Sequence, residues 1–569
     1  MDDQTLPLRS PRKVMDLRRL GSMHQSRLSF MRALIRRMML EQWQISLSRL
    51  DLDERGYGTV VYTITTTSSI FSYVLFSHFL ADEDRNDRVI ADKWDVTMAL
   101  CIGEVNEAQI ADLRANVPRQ EAGRMNSQVI VLSRGNKSMR NFEYVVDELA
   151  AGRQPAMQRL AEVGYLYRTT AVYGSGKFGM ADWEKVKNSC ADFAHPFAAE
   201  MFNCYMLRQF SIEQVEFQAR IRSPDTAVPM DDAVKRYMGI GNSTGLGMAP
   251  YLIRHPRLIS QWVLTREKTL ARVIHRGAIN RQSLAKLDRM LQQAITHVEQ
   301  TVVAEQGQIK RNNLLKTELA EISDWLPGYD LAHHDWNGLI EHAEQTSSLE
   351  TQEMINSLLI ELYPELLDGY EEYPCVDEHC QTQPQMPLAE LKMLIESRYD
   401  WALEIDFDQP TANHYFWYRS EEKMEPRLGD RRSEAGEDRE MPLTIARLVR
   451  QCYDRLCEEI DNKHDSLPVA WFLAAAPAYS GIVKRIQAMS EECYGEIRAN
   501  LADKEVCPLD LLRCKLSFFG VSKFDPKSRL WVRNTMFQGA PIVADIGKAF
   551  ADDWYFPVAG ENGEEVCQT

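Results

Sequence analysis

Several signatures of function are missing from the sequence. No His-Glu-x-x-His pair occurs, so a zinc-protease type of metal site is not predicted. Cys375 and Cys380 have no matching second pair, because Cys452 and Cys457 lie five residues apart in a helical pattern and point to different faces. The segment 171–179 has Ala and Phe where a phosphate-binding P-loop needs Gly and Ser or Thr. We therefore predict no bound metal, and the identity of any cofactor stays open.

The sequence also lacks a long apolar run and a secretory leader. It begins MDDQTLPLRSPRKV, with two acidic residues near the start and no apolar stretch after the basic ones. The longest uncharged stretch, 56–81, is rich in serine and threonine, which favours buried strands over a membrane-spanning helix. The 11 cysteines are an odd number spread over a long chain, as in reduced proteins. We expect a cytoplasmic protein with no integral membrane segment.

Basic residues are fewer than acidic residues in this sequence. Lys and Arg number 66 against 82 Asp and Glu in 569 residues, so the formal net charge is −16. Because nucleic-acid binding depends on a basic face that contacts phosphates, no nucleic-acid partner is predicted. Apolar residues (44%) and charged residues (26%) are near globular averages, and the length corresponds to several domains.

The charges are unevenly distributed along the chain. Residues 1–50 carry ten Arg or Lys and four acidic residues, whereas 317–391 carries seventeen acidic residues and no Lys or Arg. Four apolar residues of the first segment stand at helical spacing: Met31, Leu34, Ile35 and Met38. This spacing predicts a basic amphipathic helix that contacts an acidic protein surface, an anionic membrane, or simply the core with its arginines in solvent. A homo-oligomer is predicted through helix contacts and through docking of the 1–50 arm on the acidic block of another subunit.

Apolar patterning predicts an α+β fold that is predominantly α-helical. Segments between 59 and 134 that are rich in β-branched and aromatic residues indicate a mostly antiparallel sheet with one helix near 106–116. Helical periodicity dominates after residue 140, and mixed structure returns after 392. The predicted regions are a basic helical arm (1–55), an α+β sheet module (56–140), a helical body (141–316), an acidic helical lobe with a linker (317–391) and a mixed C-terminal region (392–569).

The densest glycine segment is 239–247, GIGNSTGLG. Glycines permit close approach of the backbone to a ligand, and a helix that starts after this segment would direct backbone N–H groups at an anion. The candidate ligand-binding residues of this predicted loop are Gly241, Asn242, Ser243, Thr244, Gly245 and Gly247. The plainer interpretation is a glycine-rich connector between two helices. The pattern G-x-S-x-G also raises Ser243 as a hydrolase nucleophile, which requires a strand directly before it, whereas the preceding DDAVKRYM favours a helix.

Three other segments concentrate cationic and proton-transferring groups. Four candidate substrate-binding residues follow a predicted strand: Arg134, Asn136, Lys137 and Arg140. Lys177 lies in a Gly/Ser turn, where its ammonium group could reach a phosphate or carboxylate. A third segment offers Arg419 and Arg427 for a carboxylate, with His414, Glu421 and Glu425 as candidate proton-transfer groups. For each segment the alternative is solvated charge without a specific role.

Together these segments predict an enzyme that acts on a small anionic metabolite, a carboxylate or a phosphate. The prediction requires the separated segments to meet in one cleft, and it leaves ligase, lyase and transferase chemistry open. The alternative is a non-catalytic interaction or scaffold protein that uses the basic arm and the acidic block. A serine hydrolase acting through Ser243 is a further alternative.

Overall fold

The structure is a computed structural model of the chain. It describes residues 6–85, 93–116, 127–169, 190–245, 256–276, 279–329, 335–367, 382–409, 417–420, 425–428, 438–440, 444–496, 508–528, 531–550 and 552–560.

A large sheet collects strands from distant parts of the chain. Its strands are β1 (Gln44–Leu52), β2 (Gly58–Thr65), β3 (Ile70–Ser77), β4 (Val96–Ile102), β5 (Val129–Lys137), β6 (Tyr165–Thr169), β7 (Gly239–Gly245), β11 (Lys523–Ser528) and β12 (Trp531–Met536). Their order across the sheet is β1-β2-β3-β4-β5-β6-β7-β12-β11. Among these described strands only β6 and β7 are parallel, and every other neighbouring pair is antiparallel.

Helices make up most of the remaining regular structure. Those of the N-terminal half are α1 (Pro11–Val14), α2 (Leu17–Leu20), α3 (Phe30–Leu40), α4 (Glu107–Asn116), α5 (Phe142–Ala150), α6 (Met157–Val163), α7 (Ala198–Arg222), α8 (Asp232–Tyr237), α9 (Pro256–His275) and α10 (Arg281–Gln300). Those that follow are α11 (Gln306–Trp325), α12 (Trp336–Thr346), α13 (Leu349–Leu362), α14 (Leu388–Arg398), α15 (Asp400–Leu403), α16 (Thr444–Asp461), α17 (Val469–Ala475), α18 (Ser480–Ala488) and α19 (Pro508–Phe519). The predicted fold class, α+β and mainly helical, is confirmed. No helix in the described ranges is both long and apolar enough to cross a membrane.

The sheet is covered on both faces over β2 to β5. The long helix α7 packs on β4 to β7 and forms the largest core with apolar residues from α3, α5 and the strands. On the opposite face, Ile110 and Leu113 of α4 pack on β2 to β5. Burial on both sides explains the apolar runs in β2, β3 and β4, whereas the edge strand β1 is largely exposed. The sheet begins earlier than predicted, because β1 lies within the segment that the sequence assigned to the helical arm.

Two helical cores lie outside the sheet. Helices α9 to α13 enclose one, which also takes in Tyr555 and Phe556 near the C-terminal end of the described chain. Helices α14 to α18 enclose the other. Three short strands form a separate antiparallel sheet in the order β10-β8-β9: β8 (Trp417–Ser420), β9 (Glu425–Leu428) and β10 (Asp438–Glu440).

The N-terminal arm lies against α13 of the same chain. Every residue of α13 from Glu350 to Leu362 is buried, including Glu353 and Glu361. Arg19 Nη1 donates to Glu353 Oε1 at 2.7 Å, and Arg32 Nη1 donates to Glu361 Oε1 at 2.7 Å. The basic arm and the acidic block therefore pair within one chain, and docking between subunits stays a prediction.

The prediction that the arginines of α3 lie in solvent is wrong for Arg32. The four apolar residues at helical spacing are buried as the pattern predicts, but Arg32 is also fully buried. Its guanidinium reaches both Glu361 and Asp552, two carboxylates more than 300 and 500 residues away. Sequence pattern alone treats a charged residue as outward-facing, because the partner that permits burial is distant in the chain.

Candidate functional site

A cavity of about 70 Å³ lies where the arm meets the helical core, and we call it the central cavity. Residues 23–25 of the arm line it, together with side chains from α10, α11, α13 and α19 and Phe556 from the C-terminal segment. Its polar lining includes His24, Gln25, His297, Gln308, Glu350 and Arg513. Its apolar lining includes Met23, Leu315, Met354, Leu516, Phe524 and Phe556. The cavity has room for a few water molecules or one small molecule, by the volume that a single water needs.

Glu350 is the central charged group of the cavity wall. Its Oε1 accepts a hydrogen bond from Arg513, and its Oε2 accepts one from Arg311 Nε at 2.7 Å. Arg311 also pairs with Asp510 at 3.1 Å. Burial by itself raises the pKa of Glu350, but Arg513 and Arg311 outweigh burial and lower the pKa to about 2. The two arginines and two carboxylates of this cluster compensate each other in charge.

Burial lowers the pKa of both histidines of the lining. Burial, with Arg513 beside it, lowers the pKa of His24 to about 3. Arg513 Nη2 lies 3.4 Å from His24 Nε2, which therefore serves as an acceptor. Burial also lowers the pKa of His297, whose two ring nitrogens lie 2.8 Å from Pro557 O and 2.9 Å from Ser522 O. His297 thus fixes the cavity wall to two backbone segments.

Three lining residues carry buried polar atoms that no protein group satisfies. These atoms are Gln25 Oε1, Gln308 Oε1 and Arg513 Nη1, on residues that are 4%, 3% and 7% exposed. The other end of Gln308 is used, because its Nε2 donates to Asn312 Oδ1 at 2.8 Å. A buried polar atom without a partner costs about 1–3 kcal/mol. The three atoms have almost no accessible surface, so they lie within the wall of the cavity.

None of the candidate site residues predicted from the sequence lines this cavity. The residues that line it come from segments more than 450 positions apart, and none belongs to a recognisable motif. The one available signal is polar residues at core positions of amphipathic helices, such as Gln308 in the helix that buries Leu315 and Leu319. That signal is common in sequences and does not indicate which polar residues meet.

The predicted cationic segment 134–137 is buried in β5 rather than solvated. Arg134, Asn136 and Lys137 are between 4% and 7% exposed, whereas Arg140 is exposed. Asn136 Oδ1 accepts from the backbone N–H of Asp95 at 3.0 Å. The Lys137 ammonium lies 4.5 Å from the ring centre of Phe142, and burial lowers the pKa of Lys137. The alternative of solvated charge is therefore wrong for these three residues.

The predicted glycine-rich loop is wrong over Gly239–Gly245, which form the interior strand β7. The glycines are needed for packing rather than for a loop. A Cβ atom on Gly241 would lie 2.5 Å from the ring of Tyr165. Ser243 pairs with Arg533 of β12, and Thr244 and Gly245 continue the strand beyond it. A nucleophile elbow needs its serine at a sharp turn after the strand, so Ser243 does not have that geometry.

Gly241→Ala is expected to lower the free energy of unfolding by about 1–3 kcal/mol, the usual cost of overpacking a close-packed core. The added methyl group meets a buried tyrosine ring between two strands, so relief requires movement of the sheet. Gly481→Ala in α18 is the matched control, since nothing lies within 4 Å of its Cβ position. Urea titration of both variants measures the difference. Equal stability of the two variants would show that the Tyr165 contact is relieved without cost.

The sheet brings two predicted segments close together but on opposite faces. Since neighbouring strands lie about 4.8 Å apart, the backbones of β5 and β7 are roughly 10 Å apart with β6 between them. Ser133 Oγ donates to Asn203 Oδ1 of α7, so the alternating Arg134 and Asn136 lie on the face away from α7. Asn242 lies on the same face as Ile240, in the core that α7 covers. These residues therefore do not share one pocket.

The remaining predicted residues are placed only in part. Lys177, Gly247, His414 and Glu421 lie outside the described residues. Arg419 lies in β8 opposite Pro426, and Glu425 and Arg427 lie in β9, so the predicted charged loop contains strands. Residues 174–179 have the spacing G-x-G-x-x-G and follow strand β6, as the glycines of a dinucleotide-binding turn follow a strand. This segment also lies outside the described residues.

The described residues contain no group of three His, Cys, Asp or Glu side chains placed to hold a metal ion. Besides the central cavity, a larger one of about 290 Å³ is lined mainly by residues of α3 and of 192–198. Comparison of the chain with protein-family models, with curated proteins and with solved structures finds no match.

Proposed function

We propose that the chain is a small-molecule-binding protein that holds a polar metabolite in the central cavity. The observation that carries this proposal is the lining of one cavity by buried polar side chains, among them Gln25, Gln308 and Arg513, together with apolar ones. Ligand sites are typically apolar pockets with a few convergent polar groups, and the lining follows that pattern.

Binding is favoured over proton-transfer catalysis in this cavity. A general acid or base works best when its pKa is near the working pH. The pKa of His24 is about 3 and that of Glu350 is about 2, so neither group exchanges a proton readily at neutral pH. An enzyme that acts on a small carboxylate or phosphate through the segments identified by sequence stays a separate hypothesis.

Native mass spectrometry tests the proposal. We expect the wild-type chain, after incubation with the small-molecule fraction of a cell extract, to carry a non-covalent adduct of one small molecule. The double variant Gln25→Leu/Gln308→Met removes two polar side chains of the lining with little change in volume, and we expect it to lose the adduct. The loss follows because apolar groups replace two of the polar side chains that make the lining suited to a polar guest.

Gln292→Met is the matched control for that experiment. Gln292 belongs to α10 and its amide donates to Ser323 Oγ at 2.9 Å, away from the cavity lining. The control is expected to keep the adduct. An adduct that the double variant retains, or a wild-type chain that acquires none, contradicts the proposed function.

A further inference from the structure

We infer that the chain forms a two-fold dimer in which strand β1 pairs with strand β1 of a second copy. The two strands run antiparallel, and the two copies of Leu50 face each other at the symmetry axis. This surface is separate from the lining of the central cavity, so the inference does not depend on the proposed function.

The outer edge of β1 is open to another strand. β1 is an edge strand of the large sheet and pairs on one side with β2, from Gln44 opposite Thr65 to Leu52 opposite Gly58. On its other side, no element in the described part of the chain makes backbone hydrogen bonds to it. A row of unpaired N–H and C=O groups is a template for strand addition.

Two leucines leave an apolar patch at this edge. Leu47 lies opposite Tyr62 of β2, and Leu50 lies opposite Val60. Directly opposite residues share a face of the sheet, and both β2 residues are buried in the core that α7 covers. Leu47 and Leu50 are nevertheless 44% and 42% exposed. A strand added at this edge would cover these side chains with its own.

The opposite face of β1 is self-complementary in charge about Leu50. Arg49 lies on the side of α4, because its Nη1 donates to Glu107 Oε1 of that helix at 2.9 Å. Asp51, two residues along the strand, lies on the same face and 3.1 Å from Arg49. In an antiparallel pair centred on Leu50, Arg49 of each copy lies directly opposite Asp51 of the other copy. Opposite charges that face each other across strands stabilise the pair, which favours a second copy as the occupant.

A β-bulge restricts the register of the pair. Ser48 is an extra residue between Leu47 and Arg49, so the alternation of faces reverses there. A pair centred on Ser48 would set Leu47 against Arg49, whose side chain lies on the other face. A pair centred on Leu50 avoids this mismatch. The paired stretch is short, so we expect a weak dimer that forms with increasing concentration.

Size-exclusion chromatography with light scattering tests the inference on the full chain over a concentration series. We expect a monomer–dimer equilibrium for the wild type. Leu50→Lys places two like charges against each other at the axis and is expected to weaken dimerisation about tenfold or more. Leu448→Lys changes a leucine that is 38% exposed on α16, and this matched control is expected to dimerise as the wild type does.

Charge exchange tests the register without removing apolar surface. Asp51→Arg sets Arg49 of each copy opposite a second positive charge and is expected to weaken the dimer. The double variant Arg49→Asp/Asp51→Arg restores opposite charges across the axis and is expected to recover dimerisation. Recovery in the double variant also shows that the loss in the single variant is not a failure to fold.

Disulfide formation between copies measures the register directly. Opposite residues of antiparallel strands have Cα atoms about 4.5–5.5 Å apart, which a disulfide can span. Leu50→Cys is therefore expected to give a covalent dimer with oxidised glutathione as the oxidant. The two copies of residue 47 would lie about 20 Å apart at roughly 3.4 Å per residue, so Leu47→Cys is not expected to link. The wild type gives the background from the native cysteines.

Three results overturn the inference. One is a wild-type chain that stays monomeric up to about 100 μM, a concentration at which even weak complexes are populated. This result would also be obtained if the edge binds an extended segment of a different protein. The others are a dimer that Leu50→Lys retains and equal cross-linking through positions 47 and 50.

Discussion

Glu353→Gln is expected to destabilise the chain by roughly 3–5 kcal/mol, the usual cost of removing one partner from a buried ionic cluster. Three arginines converge on this carboxylate: Arg19 at 2.7 Å, Arg266 at 2.7 Å and Arg9 at 3.3 Å. Burial raises the pKa of Glu353, but Arg266, Arg9 and Arg19 outweigh it and hold the pKa well below its usual range. Glutamine keeps the shape and leaves the guanidinium groups buried without this countercharge.

Urea titration measures the effect, with Glu299→Gln as the control. Glu299 is 51% exposed and lies 3.6 Å from Lys316, so its loss is expected to change stability by less than about 0.5 kcal/mol. Glu353→Asp keeps the charge on a shorter side chain and is expected to lose less than Glu353→Gln. If the urea midpoint of Glu353→Gln equals that of the wild type, the ionic cluster around Glu353 does not stabilise the packing of the arm on α13.

Lowering the pH is expected to reduce the free energy of unfolding by about 3 kcal/mol through protonation of Glu350 alone. Its pKa in the folded chain is about 2, below the value of 4.5 that applies without the fold. A carboxylate with a lowered folded pKa contributes stability that is fully present above the unfolded pKa and is lost as the pH falls towards the folded pKa. The loss therefore occurs between about pH 4.5 and pH 2, and the lowering of the pKa corresponds to about 3 kcal/mol.

The test compares the free energy of unfolding against pH for the wild type and for Glu350→Gln. The variant is expected to be less stable at neutral pH and to show a flatter curve below about pH 4.5, because it has no carboxylate to protonate at this position. Glu299→Gln, whose carboxylate is half-exposed, is expected to keep the wild-type slope. Parallel curves for the wild type and Glu350→Gln would mean that Arg311 and Arg513 do not hold this carboxylate ionised.

Local patterning explains which elements could be predicted. The pattern of apolar residues predicted the strands between 59 and 134, which are β2 to β5, and the helical structure after residue 140, because the apolar residues that each element buries are visible in its own sequence. The same reasoning failed for β7, whose seven residues include three glycines and no apolar alternation. β7 pairs with β6 and β12 in the sheet. Both strands are distant from β7 in the sequence, so local patterning does not indicate the pairing.

The candidate site also shows the difference between what local sequence predicts and what only the tertiary structure forms. The side chains of the predicted segment 134–137 are buried. They lie on the two opposite faces of the sheet, however, and therefore do not form one site. The central cavity was invisible, since Gln25, Gln308 and Arg513 are ordinary polar residues until the arm, α11 and α19 meet. A ligand site built from single residues on distant elements leaves no local spacing that a sequence motif could record.

The sequence by itself determined the class of fold, the mainly helical character and the uneven distribution of charge between the arm and the acidic block. Composition and periodicity are local properties, and they decide which face each element buries. Only the tertiary structure decided that the arm pairs with α13 of its own chain and that Arg32, Glu353 and Glu361 are buried. A charge enters a protein interior only when a partner from elsewhere in the chain compensates its lost hydration, and the sequence does not state which partner arrives.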